Sequence, residues 1–334
     1  MRKLASIQRV TSVSPIPDAD RIEAAQILGW QVVIRKGELK PGDLCVYFEI
    51  DSVLPFGDWN EFLRNKDKPD KPIRLKTQRF RGQISQGLAM PLNVLPLENR
   101  DWQEGDDVTS LLRVEKYEPP IPAQLSGQVC SGRPSYAPMT DEQRIQSEPG
   151  LIDEFKGHEV YITQKIHGTS ATFAHCDGEF HVCGRNWCYY ESEKNTYWQV
   201  FKSYNLEEKL KRAGNYVVQG EIAGPGINEN WLKLKHHQLF VFNVIEVAGR
   251  RYLDFEEFKQ FCSDYELPTV PVIQIVSFEF DMDELLEMAK GKYASGKPQE
   301  GIVIRPTKEF MSRVLGGRAS FKVINNDFLL KGGH

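Results

Sequence analysis

An Asp-Gly pair at positions 177 and 178 separates two runs in which apolar and polar residues alternate, and it constrains the fold more than any other feature. This dipeptide favours a two-residue turn between antiparallel strands, because both turn positions require positive φ. With these residues in the turn, Thr172 pairs with Cys183 across the hairpin. The same register places Ser170 opposite Arg185. We therefore predict antiparallel sheet around a hairpin centred on residues 177 and 178.

A lysine precedes this hairpin, at the end of another alternating run. Residues 161–165 predict a strand that delivers Lys165 into a turn formed at Gly168. A free lysine has a pKa of about 10.4, so only about one amine in a thousand is neutral near pH 7. A nucleophilic lysine must therefore be desolvated or lie near another cation, and Lys322 together with a divalent metal would supply that positive field. Lys165 is the candidate nucleophile.

Other candidate residues lie in later strand patterns, and each has an ordinary structural alternative. Glu221 ends an apolar run before a glycine-rich turn, which suits a ribose or metal contact. Phe242 could stack on a base or pack in the core. Glu300 precedes an apolar strand, where it could be a metal ligand or simply an exposed strand start. Val303 on that strand could contact one face of the base or pack in the core. Arg185 could hold a ribose or phosphate, or be an ordinary surface arginine.

Six cysteines are too few for a disulfide scaffold in a chain of 334 residues. Histidines and cysteines cluster between positions 175 and 188, but the cluster has no paired Cys-x-x-Cys spacing typical of zinc sites. We therefore expect these cysteines to serve as small apolar side chains in the hairpin.

Charge is unevenly distributed along the chain. The formal net charge of −4 argues against a protein that binds nucleic acid with its whole surface. Residues 64–81, however, contain eight basic and two acidic residues. A run of this kind is compatible with phosphate contacts, and a solvated loop is an equally good interpretation. The residues proposed to contact RNA are Arg74, Lys76, Arg79 and Arg81.

The chain is long enough for two domains. We predict a small β-barrel or sandwich in residues 1–116, a proline-rich linker in 117–138 and an α+β domain in 139–334. Within the last domain, helices are predicted at 206–212, 255–265 and 283–290, and residues 140–145 are typical of a helix start. No apolar run reaches the ~18–20 residues of a membrane span, and no secretion signal is visible, so we predict a cytoplasmic protein with no membrane contact.

The order of these motifs resembles that of the covalent nucleotidyltransferases, which include polynucleotide ligases and RNA capping enzymes. Residues 165–169, Lys-Ile-His-Gly-Thr, resemble the nucleophile motif of RNA ligases. Residues 17–22 and 80–88 resemble segments of OB-fold modules that bind tRNA. Together, the whole chain resembles the Deinococcus-type ATP-dependent RNA ligases. This implies an N-terminal OB-like barrel followed by an antiparallel-sheet nucleotidyltransferase domain.

The resemblance also implies roles for individual residues. Lys165 becomes the adenylylated nucleophile and Lys322 the lysine that contacts the α-phosphate. Glu300 becomes the metal-associated glutamate, with Glu221 as a second candidate ligand. The remaining nucleotide-binding positions are Gln164, His167, Gly168, Ser170, Arg185, Phe242 and Val303. Two positions depart from the family pattern, because Ser170 stands where many relatives have Asn and Ser320 precedes Lys322 where many have a second lysine.

The activity implied is joining of RNA 3′-hydroxyl and 5′-phosphate ends, including ends held on a splint strand, through a lysyl-AMP intermediate. ATP would donate the AMP, with Mg²⁺ or Mn²⁺ as the metal, and no obligate protein partner is indicated. Two alternatives stay open at this point. One is a DNA ligase or GTP-dependent capping enzyme on the same fold. The other is a noncatalytic RNA-binding protein.

Overall fold

The computed structural model describes residues 3–64, 72–96, 101–118 and 127–332. The chain divides into two compact units. The N-terminal unit comprises Met1–Pro119, Ile145–Pro149 and Leu329–His334, and the C-terminal unit comprises Pro120–Arg144 and Gly150–Phe328. The predicted boundaries at 116 and 138 stay a prediction, and a short strand, Val129–Gly132, lies inside the predicted linker.

The N-terminal unit is built on a curled antiparallel sheet whose strand order is β3-β2-β1-β4-β9. The long strand β1 pairs with β4 through its first half and with β2 through its second half, with an irregularity between Val10 and Ser12. Such an irregularity bends a strand, so one strand can serve both halves of a curled sheet. The strands of this unit are β1 Ala5–Pro15, β2 Ile22–Ile27, β3 Trp30–Arg35, β4 Leu44–Phe48, β5 Ser52–Leu54, β6 Ile73–Arg74, β7 Gln78–Phe80, β8 Gln83–Ser85, β9 Leu88–Pro91 and β10 Glu115–Lys116. Short 3₁₀ helices cover Asp58–Leu63, Leu92–Val94 and Ile145–Ser147.

The interior of this unit is apolar, with Ile7, Val46, Phe48, Leu54 and Met90 in one buried cluster. Ile7 on β1 and the alternating Val46 and Phe48 on β4 point into this cluster, and the residues between them are buried as well, so this part of the sheet is covered on both faces. The unit is the OB-like half-barrel that the sequence predicts.

The C-terminal unit contains two larger sheets, ordered β11-β16-β15-β14-β17-β18-β19 and β12-β24-β21-β13-β20. Its strands are β11 Val129–Gly132, β12 Gln143–Arg144, β13 Glu159–Lys165, β14 Thr169–Cys176, β15 Glu179–Cys183, β16 Trp187–Tyr189, β17 Tyr216–Ala223, β18 Gln238–Glu246, β19 Arg251–Tyr252, β20 Val272–Ser277, β21 Gly301–Pro306, β22 Met311–Ser312, β23 Gly317–Arg318 and β24 Phe321–Ile324. The helices are α1 Leu151–Phe155, α2 Thr196–Ser203, α3 Leu206–Ala213, α4 Phe255–Asp264, α5 Met282–Met288 and, at the end of the chain, α6 Asn326–Leu330. A 3₁₀ turn covers Asn228–Asn230.

The three predicted helices are confirmed as α3, α4 and α5, and the last two begin with capping boxes at Asp254 and Asp281. The helix start predicted at 140–145 is wrong. Residues 143 and 144 instead form β12, which pairs in parallel with β24. Pairing with a distant strand therefore overrides the local helical pattern. No helix within the described residues is long and apolar enough to cross a membrane.

The hairpin register is confirmed along most of its length. Thr172 pairs with Cys183 and Cys176 with Glu179. The predicted pairing of Ser170 with Arg185 is wrong, because β15 ends at Cys183 and the chain turns back into β16. Cys183 and Cys188 are joined by a disulfide, so the expectation that both are free apolar side chains is also wrong.

Candidate active site

Three neighbouring strands bring the two candidate lysines to one face of a sheet. Strand β13 pairs with β21, with Thr163 opposite Val303, and Val303 lies opposite Lys322 on β24. Side chains two residues apart on a strand point to the same face, so Lys165 shares the face of Thr163 and therefore of Lys322. The sheet register thus places the predicted nucleophile, Val303 and the second lysine side by side.

Glu300 links the two halves of the nucleophile motif. One oxygen, Oε1, lies 2.8 Å from Lys165 Nζ, and the other, Oε2, lies 3.4 Å from His167 Nδ1. The Glu300 side chain is only 7% exposed, so its negative charge is held away from water and is balanced by these neighbours. Glu300 is therefore a buried partner of the candidate nucleophile, and the interpretation of it as an exposed strand start is wrong.

Burial and charge shift the pKa values of all four central groups. Burial acts to lower the pKa of Lys165, but the carboxylates of Glu300 and Glu221 outweigh it and raise that pKa. Burial acts to raise the pKa of Glu300, but the charge of Lys165 lowers it to about 2. The pKa of Glu221 is raised to about 8 by burial. Burial, reinforced by the charges of Lys165 and Arg144, lowers the pKa of Lys322 to about 7.

This charge distribution differs from the expectation that Lys322 would depress the pKa of Lys165. The carboxylates of Glu300 and Glu221 affect the pKa of Lys165 more strongly than the second lysine does, so Lys165 stays protonated. The pKa of Lys322 is the one that falls. Arg144 adds to this effect because it lies opposite Lys322 in the register of β12 and β24. The mistaken helix prediction at 140–145 concealed this neighbour.

Tyr293 is a site residue that the sequence analysis missed. Its hydroxyl donates to the backbone oxygen of Lys165 at 3.0 Å, and it accepts from the backbone nitrogens of His167 and Glu300, each at 3.2 Å. Burial raises the pKa of this hydroxyl to about 12, so it stays protonated. One side chain therefore holds both segments of the site in place. Tyr293 lies in a stretch without clear periodicity, and no sequence signal marks it.

Gly168 permits the closest backbone approach in the motif. A Cβ at this position would lie 2.3 Å from the backbone oxygen of Ile222 and 2.9 Å from Cγ of Glu221. Strand β14 then begins, with Ser170 opposite Glu221, and the Ser170 hydroxyl lies 2.6 Å from that of Thr140. Only glycine lets the nucleophile motif lie directly against β17, and this contact brings Glu221 to the site.

Two candidate adenine-binding residues, Gln164 and Phe242, lie next to Lys165 and Ile166, respectively. Gln164 donates its side-chain amide to Gln299 Oε1 at 2.9 Å, which fixes its orientation. Phe242 is half-buried and packs with Ile166 in a small apolar cluster. The guanidinium of Arg305 lies 5.6 Å from the centre of the Phe242 ring. Phe242 is therefore both a packing residue and a neighbour of the nucleophile motif.

The predicted arginine Arg185 lies in the turn between β15 and β16. Its Nη2 donates to both carboxylate oxygens of Asp141, at 2.9 and 2.8 Å, and the side chain is half exposed. Its charge also acts on Glu221, where it partly offsets the rise in pKa that burial causes. The structure thus places Arg185 within electrostatic range of the site, although it is not in the predicted cross-strand position.

The proposed RNA contacts in the N-terminal unit have different environments. Arg74 forms a 2.8 Å ion pair with Asp51 and lies 3.6 Å from the ring centre of Tyr117. Lys76, Arg79 and Arg81 have exposed or half-exposed side chains, and Arg79 donates to the backbone oxygen of Gly82. Residues 65–71 of the basic run lie outside the described residues. The role of these residues in binding RNA stays a prediction.

Among the residues that the structure describes, no three His, Cys, Asp or Glu side chains are grouped to hold a metal ion. Glu300 and Glu221 are nevertheless two buried carboxylates that both act on Lys165. Two carboxylates suit Mg²⁺ or Mn²⁺ when substrate phosphates and water complete the coordination, so these residues fit a metal that arrives with a nucleotide.

A curled β-barrel unit and a lysine-centred site on an antiparallel sheet together define a protein of the nucleic-acid ligase class. Residues 4–92 match a family model described as an OB-fold domain, and residues 158–324 match one described as RNA ligase. No match was found among curated proteins. The chain belongs to the RNA ligase family.

Solved structures of Naegleria gruberi RNA ligase are similar over nearly the whole chain. The structure with PPi is 34% identical, with a TM-score of 0.88 and 98% of each chain covered. A mutant with AMP and Mn is 33% identical, with a TM-score of 0.88 and the same coverage. A mutant with ATP and Mn is 33% identical, with a TM-score of 0.87 and the same coverage. These similarities support the RNA ligase prediction over a DNA ligase, a capping enzyme or a noncatalytic protein.

Proposed function

We propose that this chain joins RNA ends in an ATP-dependent reaction that proceeds through AMP linked covalently to Lys165. The observation that carries this proposal is the buried pairing of Lys165 with Glu300, on the same sheet face as Lys322. The nucleotide is supported by the Naegleria gruberi structures, which hold ATP, AMP and PPi, respectively a substrate, a transferred group and a product of such a reaction.

The first reaction forms a bond between Lys165 Nζ and the α-phosphorus of ATP, and the bond to pyrophosphate breaks. The amine loses its protons in the process, because a protonated lysine has no free electron pair. Negative charge builds on the nonbridging oxygens of the α-phosphate, and the ammonium of Lys322 would stabilise it. Without a nucleotide, the pKa of Lys322 is lowered to about 7. The negative charge of a bound phosphate would raise this pKa and so favour the ammonium form.

Two transfers complete the reaction. An oxygen of the RNA 5′-phosphate attacks the α-phosphorus of lysyl-AMP, and the bond to Lys165 breaks. A 3′-hydroxyl then attacks the RNA phosphate, the new phosphodiester forms and AMP leaves. All three reactions are displacements at phosphorus, so Lys322 would stabilise the negative charge that develops on the phosphate oxygens in each of them. These steps consume one ATP for each junction.

Glu300 and Glu221 are the residues that would hold a divalent metal. A metal bound there would supply positive charge that lowers the pKa of Lys165 and stabilises phosphate oxygens. In its absence, the same carboxylates keep Lys165 protonated. His167 and Tyr293 orient this pair, since one contacts the second oxygen of Glu300 and the other fixes the backbone on both sides.

The remaining predicted positions would bind the rest of the nucleotide. We assign Phe242 and Val303 to the faces of the adenine and Gln164 to its edge. Arg185 and Glu221 would contact the ribose and phosphates, with Gly168 and Ser170 shaping the backbone beside them. His167 completes the set. The support is the sheet register for Gln164, Val303, Ser170 and Glu221, the apolar cluster for Phe242, and the charge acting on Glu221 for Arg185.

For the RNA we propose ends with a 3′-hydroxyl and a 5′-phosphate, including ends held on a splint strand. The N-terminal unit would bind RNA, with Lys76, Arg79 and Arg81 available at its surface. A cytoplasmic location and the lack of an obligate protein partner stay predictions from the sequence.

A sealing assay tests the proposal. The protein is incubated with a nicked RNA duplex carrying a labelled 5′-phosphate, with ATP or GTP, and with or without Mg²⁺ or Mn²⁺. We expect sealing only when both ATP and a divalent metal are present, and we expect no sealing by the Lys165→Ala variant. GTP-selective activity, or equal sealing by the variant, would contradict the proposal. A nicked DNA duplex of the same sequence serves as the control for the nucleic acid.

A further inference from the structure

A cleft in the C-terminal unit lies outside the nucleotide site described above. Its volume is about 360 Å³, and it lies between α2 and the loop of residues 224–237, which we call the 224–237 loop. Gln199 and Ser203 of α2 form one wall, and Lys235, His236 and His237 of the loop form the other.

Both walls of this cleft are attached to the nucleophile motif. On the α2 side, the hydroxyl of Tyr197 lies 2.9 Å from the hydroxyl of Thr169. On the loop side, the amide of Asn228 donates to the backbone oxygen of Gly168 at 2.5 Å. Two consecutive motif residues therefore anchor the two walls. The elements that form both walls are thus hydrogen-bonded to the segment that follows Lys165.

The 224–237 loop has a specific, held conformation. Asn228, Glu229, Asn230 and Lys233 all have positive φ, between 43° and 57°. Non-glycine residues adopt this region at a cost, and such backbone is concentrated at functional sites. The side chain of Asn230 both donates to the Leu234 oxygen at 2.8 Å and accepts from its nitrogen at 3.0 Å. These bonds fix the direction in which the following residues leave the loop.

Trp231 anchors the middle of the loop at the active site. Its ring is 7% exposed and lies 5.1 Å from the ring of His167, in an edge-on arrangement. Because His167 contacts Glu300, the loop and the nucleophile share a packed connection. A ligand in the cleft would therefore lie on an element that is fixed relative to Lys165.

The chemistry of the cleft suits a phosphate-rich ligand. Residues 231–237 contain two lysines and two histidines and no acidic residue. The side chains of Lys235 and His236 are exposed, and so are those of Gln199 and Ser203 opposite them. The Gln199 amide donates to the backbone oxygen of Glu193 at 2.7 Å, and the Ser203 hydroxyl donates to that of Val200 at 3.1 Å. The exposed ammonium of Lys235, with the exposed ring of His236 beside it, matches the nonbridging oxygens of a phosphodiester chain.

We propose that this cleft holds the sugar-phosphate backbone of the RNA substrate next to the end that is being joined. The inference rests on the proposed function, and it adds a second RNA contact surface, in the C-terminal unit, to the basic residues of the N-terminal unit. The cleft positions the RNA strand and takes no part in the transfer of AMP to Lys165.

The test is a double variant, Lys235→Gln with His236→Gln, in the full-length protein. His237 is left unchanged because its Nε2 is bonded to the backbone oxygen of Pro225 at 2.8 Å and holds the loop. Lys202→Gln is the matched control, since Lys202 is an exposed lysine of α2 that pairs with Glu191 and does not line the cleft. Binding to a fluorescent nicked RNA duplex is measured by anisotropy between low and moderate salt.

We expect the double variant to bind RNA about tenfold more weakly than the native protein. Its slope of log affinity against log salt should fall by roughly 0.7–0.9 for the lost lysine contact. Formation of lysyl-AMP from ATP should be unchanged, and Lys235→Arg should retain native RNA affinity. An unchanged affinity and slope in the double variant would overturn the proposal. Lost adenylylation with native RNA affinity would also overturn it, by assigning the cleft to the nucleotide step.

The proposed function and this inference fail in different ways. If the native protein forms no lysyl-AMP, the proposed function is wrong whatever the cleft binds. If native protein forms lysyl-AMP and seals RNA but the double variant binds RNA like the Lys202→Gln control, only the cleft assignment is wrong.

Discussion

Replacing Gly168 with alanine tests whether close contact between the nucleophile motif and β17 creates the active site. The added Cβ would lie 2.3 Å from the Ile222 oxygen, whereas real Cβ atoms essentially never approach closer than 3.0 Å. The two backbones must therefore separate by at least about 0.7 Å. A forced shift of this kind costs about 1–3 kcal/mol of stability. Because a misplacement near 1 Å can reduce rate by about a hundredfold, we expect adenylylation to fall much more than stability.

The assay measures the rate of lysyl-AMP formation from labelled ATP, beside the thermal unfolding midpoint of each protein. Gly132→Ala is the matched control, because that strand glycine has no atom within 4 Å of the added Cβ and no positive φ. The control should retain native rate and stability. A Gly168→Ala protein that adenylylates within about threefold of the native rate would refute the argument, since that rate corresponds to less than ~1 kcal/mol in the barrier.

Three further substitutions test the roles of Glu300, of Tyr293 and of the basic residues in the N-terminal unit. Glu300→Gln keeps the side-chain volume but removes the charge that pairs with Lys165 and would hold metal, so we expect adenylylation to fall at least about a hundredfold with the fold intact by circular dichroism; native activity would show that the charge is dispensable. Tyr293→Phe removes the hydroxyl that contacts both site segments, and should cost about 1–3 kcal/mol in denaturant unfolding and slow adenylylation; unchanged values in both measurements would contradict its positioning role. Neutralising the exposed basic residues of the N-terminal unit should lower RNA affinity and reduce the salt slope by roughly two to three, whereas an equal slope would mean that this run is only solvated. The residues to be changed are Lys76, Arg79 and Arg81.

Local patterns predicted much of the fold. The Asp-Gly turn at 177 and 178 set the register of β14 and β15, because a two-residue turn leaves only one pairing. Helix-forming residues with charge pairs three and four positions apart likewise marked α3, and similar patterns marked α4 and α5. These features depend on neighbours within a few residues, so they are visible in one sequence. The prediction of Arg185 opposite Ser170 failed because nothing local indicated that β15 would end at Cys183.

Contacts between distant segments account for what was missed. Tyr293 acts through backbone groups of Lys165 and Glu300, and a tyrosine in an irregular segment carries no mark of such a role. The position of Arg144 beside Lys322 depends on a parallel pairing of two short strands, for which local helical propensity is a misleading guide. The reversed pKa shifts of the two lysines follow from which carboxylates the sheet register brings close, and that register is a long-range property.

Peptide mapping of the adenylylated protein shows which lysine carries AMP. The protein is incubated with ATP and Mg²⁺ or Mn²⁺, digested, and analysed by mass spectrometry for a peptide carrying AMP. We predict one adduct, on Lys165, which disappears in Lys165→Ala while the Lys322→Ala protein shows a reduced yield at the same position. An adduct on Lys322, or an adduct that persists in Lys165→Ala, would show that Lys165 is not the nucleophile.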